Sequence, residues 1–374
     1  MMNDPFSQLD QSDPFSISLN IKDLDLSVVN SLRRIIISEI KNVGFFFDPN
    51  DYSEETKDIR VLHNDTPLHN EFMQHRISLI PIHVSPYQLE NWNKEDYKFV
   101  IDKSNTTNST MNVYSSDIQV IDTKENKHVP ALSKQFFPPD PITKDHILIT
   151  KLNPKPDAKL HVEAHASLNS PSVSTSFGMI SNISIEFKID DKKATEELDK
   201  YLATNKDKAS VESLTHQFNS IERERHYYRN KYREPNNFDI QITSECSIPC
   251  VNIFRSAIDI LKNKIIAFQN SDYDIVNNNM LFSIIVKNES HTLGNLFQSL
   301  VFNHYIRENL DNEYGVNYIG YNVPHPLEQI LLIKVKGDKL LLLDDVKNFV
   351  NNACDYIYNM LNDLDNHWNT LSNK

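Results

Sequence analysis

N-E-S-H-T-L-G-N-L at Asn288–Leu296, with its looser echo D-L-S-V-V-N-S-L-R-R at Asp25–Arg34, decides how this chain is read. Each stretch reads as the end of a strand, a polar turn and the start of a helix. In the later one, Ser290 or Thr292 is placed to cap a helix whose face carries Leu293, Leu296, Phe297 and Leu300 at helical spacing. In the earlier one Ser27 is the expected cap, and Leu32, Ile36 and Ile40 follow with a period of four. Two such units far apart in one chain predict two related halves packed on each other.

Working outward, Phe15, Ile17, Leu19 and Ile21 alternate with polar residues and predict a strand over 14–22, ahead of a helix over 27–41. Residues 64–82 carry Leu68, Phe72, His75, Arg76 and Leu79 at the spacing of one helix face, closed by Pro81. Residues 83–170 hold short apolar runs at 99–101, 116–121 and 147–152, split by Pro and Asn, and read as a β-rich insert. Strands are expected at 180–189 and 238–242, with a charged helix-and-linker stretch at 191–235 between them. Beyond Pro249, the residues Val251, Phe254, Ile258, Leu261, Ile265 and Phe268 step by threes and fours, a heptad-like seam. Residues 270–279 are Asn-rich and read as a linker. Strands at 281–286, 316–321 and 330–335 follow. A last helix over 344–369 carries Val346, Val350, Ala353, Ile357, Met360, Leu364 and Trp368. A large side chain gains roughly 1.5–3 kcal/mol on full burial, so two such seams are not left in water, and each half supplies the other's cover.

Composition narrows the class. A chain of 374 residues has room for two or three cores. A net charge of −13 argues against unspecific nucleic-acid binding by the whole surface. Six glycines, with neither a P-loop nor G-x-G-x-x-G, argue against phosphate-cradling loops. Cys246, Cys250 and Cys354 are too sparse for a disulfide framework; Cys246 and Cys250 would be half a zinc site, but no second pair follows at matching spacing. The first residues lack a signal-peptide pattern, and no run reaches about 18 apolar residues, so a reducing intracellular setting is expected.

The motifs resemble one family. D-L-S-V-V-N-S-L-R-R-I-I-I-S-E-I resembles the α-motif of the α-like third-largest subunit of multisubunit RNA polymerases. H-N-E-F-M-Q-H-R-I-S-L-I-P-I is similar to that family's segment leading into its insert. E-S-H-T-L-G-N-L-F and Y-I-G-Y-N-V-P-H-P-L-E resemble the smaller α-like partner, the eleventh subunit. The resemblance implies an α+β fold of two dimerisation modules packed through long helices. The first module would occupy 13–44 and 172–270, with the charged insertion 191–235; the β-rich insert domain would be 45–171. A flexible N-terminus at 1–12, a linker at 271–279 and a second module at 280–374 complete the expected plan.

The implied role is noncatalytic: an intramolecular equivalent of the α dimer, without cofactor or metal, on which the two largest polymerase subunits assemble. Small zinc-binding subunits are further implied partners, and DNA is met only through the complex. Carried over position by position, the implied interface residues are Asn30, Leu32, Arg33 and Arg34; Glu71, His75 and Arg76; His291, Thr292, Leu293, Gly294 and Asn295; and Gly320, Tyr321, Pro324, His325 and Pro326. Two subunits on one chain resemble the fused subunits of large nucleocytoplasmic DNA viruses, which implies host cytoplasm or a viral factory, and the virion. The family often carries a Cys cluster in its insert; residues 83–179 have no Cys, so a metal there is not carried over.

Two other classes compete. His63, His69, His75 and His83 suggest a His-dependent enzyme, but spacings of six, six and eight do not place two on one helix face. Arg223, Arg225, Tyr227, Tyr228, Arg229, Lys231, Tyr232 and Arg233 interleave cations with rings and suggest a stand-alone nucleic-acid binder using 221–233. The plainer reading is a solvated or docked arm balanced by Glu222, Glu224 and Glu234.

Overall fold

A computed structural model describes residues 3–48, 58–207, 209–245, 248–271, 273–278, 281–325, 327–338 and 341–372. Cys246, of the tentative half-site for zinc, and Pro326, of the P-H-P turn, lie outside them. The chain is mixed α+β and forms two compact units. One comprises Met1–Ile35, Ile183–Ile242 and Phe254–Lys374; the other comprises Ile36–Asn182 and Thr243–Ile253.

The first unit contains one plan built twice. The hairpin β1 (Phe6–Asp13) and β2 (Ser16–Lys22) leads into α1 (Leu26–Ser38). Much later come β3 (Ile180–Phe187), the helices α2 (Asp191–Asn205) and α3 (Val211–Gln217), then β4 (Asn237–Ser244) and α4 (Cys250–Gln269). The second copy runs without interruption: β5 (Asp274–Asn278), β6 (Leu281–Lys287), α5 (His291–Val301), β7 (Val316–Asn322), β8 (Ile330–Gly337) and α6 (Leu343–Ser372). The sheet orders are β1-β2-β4-β3 and β5-β6-β8-β7, the same topology.

Burial follows the sheet period. In β2 it falls on Ile17, Leu19 and Ile21; in β8 it falls on Leu331, Ile333 and Val335. On the helices burial falls on Val28, Val29 and Leu32 of α1 and on Leu293, Leu296 and Phe297 of α5, which packs on β7 and β8.

Two expectations about mobile or linking segments are corrected. The flexible N-terminus expected at 1–12 is a strand from Phe6 onward, because Phe6 is buried with its ring 5.3 Å from Trp368 and 5.9 Å from Phe254. The linker expected at 271–279 contains β5, which pairs antiparallel with β6. Capping also differs. At α1, the Asp25 carboxylate accepts from the Ser27 amide at 2.8 Å, so Asp25 caps and Ser27 does not. At α5, Ser290 holds the N-cap position without a side-chain bond, and the hydroxyl of Thr292 is engaged elsewhere.

The second unit is β-rich. Its five-stranded antiparallel sheet runs in the order 59–64, 159–164, 97–104, 119–122 and 127–128. Phe45, Phe99, Phe136 and Phe137 fill its core, with Phe45 and Phe99 edge to face at 5.0 Å. The helix Asn70–Ser78 turns Met73, Gln74 and Ile77 inward. The expected face is therefore inverted: Phe72 is 63% exposed and Leu79 is 53% exposed.

Candidate subunit interface

The two copies in the first unit meet through their helices. Down the long pair, Phe254 packs against Trp368 with ring centroids 4.3 Å apart and planes tilted by 41°, and both rings are buried. The Lys262 ammonium donates to Asp365 at 2.6 Å, and the Gln269 amide donates to Asp355 at 2.8 Å. These contacts ascend α4 as they descend α6, so the helices run antiparallel. Of the expected seam, Phe254, Ile258, Leu261, Ile265 and Phe268 are buried, as are Val346, Val350, Ile357 and Leu364; Val251 and Met360 are only half-buried. Sequence spacing missed Ile253 and Ala257 on one helix and Phe349, Cys354 and Leu361 on the other, all buried. Cys250 and Cys354 are buried thiols. Burial, then the nearby Asp355, pushes the Cys354 thiol up to about 12, which marks a packing group and not a nucleophile.

The short helices bring the two quoted motifs together. Arg34 donates from Nε to the Thr292 hydroxyl at 2.8 Å, and the Ser31 hydroxyl reaches the Thr292 carbonyl at 3.4 Å. Arg33 instead donates to Asn30 one turn back, at 3.1 Å, so adjacent arginines diverge. Leu32 and Leu293 are core. Asp25 accepts from Ser299 at 3.0 Å and from Asn303 at 2.7 Å, closing the other end of the crossing. Asn295 lines a cavity of about 470 Å³ together with Asp25, Ser299, Asn303, Tyr232 and Glu234. His291 and Tyr321 approach edge to face at 5.7 Å. Gly294 sits under the Tyr321 ring, where a Cβ would come within 2.6 Å of Cδ2. Gly320 similarly makes room for Tyr318, whose hydroxyl would lie 2.7 Å from a Cβ there. Pro324 and His325 are exposed; the ring of His325 accepts from the Leu327 amide at 3.2 Å and shapes the turn.

The remaining positions belong to the second unit. Arg76 donates to the carbonyls of Ile149 at 2.7 Å and Leu148 at 2.9 Å, tying its helix to a strand. His75 packs near Phe47 at 5.9 Å, and Glu71 is exposed. The other histidines go separate ways: His63 pairs with Asp65 at 2.8 Å, His69 starts the helix, and His83 is buried enough that its pKa is lowered.

The basic-aromatic run is largely paired within the chain. Arg223 meets Asp191 at 2.9 Å and Arg225 meets Glu222 at 3.1 Å. Arg229 lies over the Tyr227 ring at 4.2 Å. Lys231 reaches Glu308 at 2.6 Å, and the Tyr232 hydroxyl donates to the same carboxylate. Arg307 returns the contact, bonding Glu234 at 2.9 Å and covering the Tyr232 ring at 4.3 Å. Residues 231–234 of the first copy are thus clasped to 307–308 of the second. Among the described residues, no group of three or more His, Cys, Asp or Glu side chains is placed to hold a metal ion. Nor is any helix among them long and apolar enough to cross a membrane.

Two copies of one hairpin–helix–hairpin–helix plan, joined by their helices, define an α+β protein built for module pairing. The RNA polymerase Rpb3/Rpb11 dimerisation domain matches residues 18–265 and, in a second model, residues 282–367. The chain belongs to that family, and its two domains mark an α-like RNA polymerase subunit of a noncatalytic kind. It is also similar to a conjugation stage-specific protein of Tetrahymena thermophila, 27% identical over 115 residues. That match covers 28% of this chain and 34% of the relative, so it spans about a third of the relative's length.

Proposed function

We propose that this chain is the assembly platform of a DNA-dependent RNA polymerase, carrying both halves of an α-dimer equivalent and scaffolding the two largest subunits. The observation that carries this reading is the pairing of two modules of identical strand order through the Phe254–Trp368 and Lys262–Asp365 contacts. Elsewhere an assembly of this kind needs two chains to meet; here the tether supplies the partner at high effective concentration. Fusion of a third-subunit-like half and an eleventh-subunit-like half accounts for the two matched domains. It accords with the fused subunits of large DNA viruses, and with a viral factory and virion as its setting.

On this reading the module boundaries follow the repeat: the β-rich 45–171 is an insert in the first half, and 280–374 forms most of the second. His291, Asn295, Tyr321, Pro324 and His325 flank the crossing and are offered to partner subunits. Glu71 and His75 do the same from the β-rich unit, where Arg76 holds their helix to its strand, and small zinc-binding subunits complete the assembly. Internal pairing of Arg223, Arg225, Lys231 and Tyr232 weighs against a free nucleic-acid binder, since those groups are already engaged.

The test is a tagged pull-down from producing cells, washed at high salt, with co-purifying chains identified by mass spectrometry. The two largest polymerase subunits in equimolar amounts are the expected result. Recovery of this chain alone, or with unrelated proteins, would overturn the reading.

A further inference from the structure

The two sheets of the first unit differ on the faces turned away from their helices. Register assigns those faces. In the second sheet Phe282, Ile284 and Val286 pair with Val335, Ile333 and Leu331, and all six are buried. The alternate residues therefore point outward, and they form three cross-strand rows. Leu281 faces Lys336, which faces Tyr318; Val276 faces Ser283, which faces Lys334 and then Gly320; Asp274 faces Ile285, which faces Leu332 and then Asn322. Lys287 faces Ile330 at the end of the sheet.

An outer sheet face that stays in water is ordinarily polar. The first sheet obeys this: Ser18, Asn20, Glu186, Asp239 and Gln241 line its outer side. The second does so only in part. The outward positions of its two central strands are aliphatic and half-buried at Leu281, Ile285, Ile330 and Leu332 and polar at Ser283, Lys287, Lys334 and Lys336, and Val276 and Tyr318 are 44% and 47% exposed. Lys287, Lys334 and Lys336 interrupt the apolar surface, and none of the three has an ion pair among the described residues. In a chain of net charge −13, three lysines against one carboxylate, Asp274, make this face locally positive, and an acidic segment is its complement.

We propose that the outer face of the second sheet is a docking surface for another protein chain, through a segment that carries aliphatic side chains flanked by carboxylates. The aliphatic groups cover Ile285 and Leu332, and the carboxylates pair with Lys334 and Lys336. Nucleic acid fits less well, because the centre of the face is aliphatic and offers one ring, Tyr318, for stacking. The inference deepens the assembly reading by naming one face of the platform and the chemistry of what it takes.

A photo-crosslinking residue placed at Val276 or Tyr318 of the full chain, in producing cells, tests it. Gln241 on the outer face of the first sheet serves as control. The expected adduct joins Tyr318 to a different protein, within a segment rich in Asp or Glu and aliphatic residues. Its yield should fall at least about tenfold in the triple variant K287E/K334E/K336E and recover in the Lys→Arg triple variant. Adducts with nucleic acid, lipid or a second copy of this chain, or a yield no greater than at Gln241, would overturn the proposal. If polymerase subunits still co-purify in that case, the platform reading stands and only the face is wrong. If the adduct is acidic and aliphatic but not a polymerase subunit, the face stands and the platform reading falls.

Discussion

Gly294 lies beneath the ring of Tyr321, so close that a Cβ at 294 would fall 2.6 Å from Tyr321 Cδ2 and 2.7 Å from Leu331 Cδ1. The contact locks α5 onto β7 and β8, and so fixes where Thr292 meets Arg34. Alanine in a helix is ordinarily better than glycine by about 1 kcal/mol, whereas overpacking costs about 1–3 kcal/mol. Here the obstruction is the body of a half-buried ring and a core leucine, so overlap wins. Gly294→Ala should lower stability by up to about 2 kcal/mol in urea unfolding. The same change made beside Tyr321→Ala should cost less. A stabilised single variant would show that the ring is not held there.

Lys262 gives the long-helix seam an alkaline limit. Burial lowers its pKa, but the hydrogen bonds it donates to Asp259 and Asp365 outweigh this, and the net direction is upward from 10.5. A cation whose folded pKa exceeds its unfolded one contributes stability that is complete below the unfolded value. That contribution is lost as pH rises through the folded value. The melting temperature should therefore fall as pH climbs past about 10.5. In Asp365→Asn the fall should be shallower, because one of the two carboxylates that raise the pKa is gone. Parallel melting curves for wild type and variant, read between neutral and strongly alkaline pH, check this; identical slopes would refute it.

Much of this frame was legible in the sequence. Wherever apolar residues alternate or step by threes and fours, as at Ile17–Ile21 or Phe254–Phe268, the element is present. The losses have a common physical cause. β1 and β5 are the same edge strand of the repeated plan, and neither shows as a strand in the sequence. An edge strand needs few inward apolar groups, and F-S-Q-L-D-Q-S-D and D-I-V-N-N carry little alternation to read. In Asn70–Ser78 two stripes compete: Phe72, His75, Arg76 and Leu79 satisfy helical spacing, but so do Met73, Ile77 and Ile80. Periodicity cannot choose between them; the sheet that the helix covers does. The interface motifs were found by resemblance, but the Gly294–Tyr321 and Arg34–Thr292 contacts join residues about 30 and 260 positions apart and needed the fold.

His83 sets an acid limit in the β-rich unit. Burial lowers its pKa from 6.5, and Glu245 only partly opposes this. Its folded pKa lies below its unfolded one, so its contribution is complete above about 6.5 and is lost as pH falls through the folded value. Unfolding followed from neutral pH downward should show that loss, and His83→Gln should flatten it. A variant that keeps the wild-type slope would assign the acid sensitivity to other groups.

The Phe254–Trp368 contact decides whether the two copies depend on each other. Both rings are at most 1% exposed, and Phe6 packs on them from the first strand. Each copy on its own would turn a seam of large apolar residues into water, at a loss of roughly 1.5–3 kcal/mol for each side chain. A chain broken after Asn270 should therefore yield two fragments that co-purify in equal amounts when expressed together, and that aggregate when expressed singly. Trp368→Ala, at a cost of about 3–5 kcal/mol for a buried aromatic, should sharply reduce recovery of the pair. A change at exposed Tyr87, in the β-rich unit, should not. If the fragment ending at Asn270 were monodisperse, unfolded cooperatively by itself and ignored its counterpart, the copies would be neighbours and not partners, and the α-dimer equivalence would have to be abandoned.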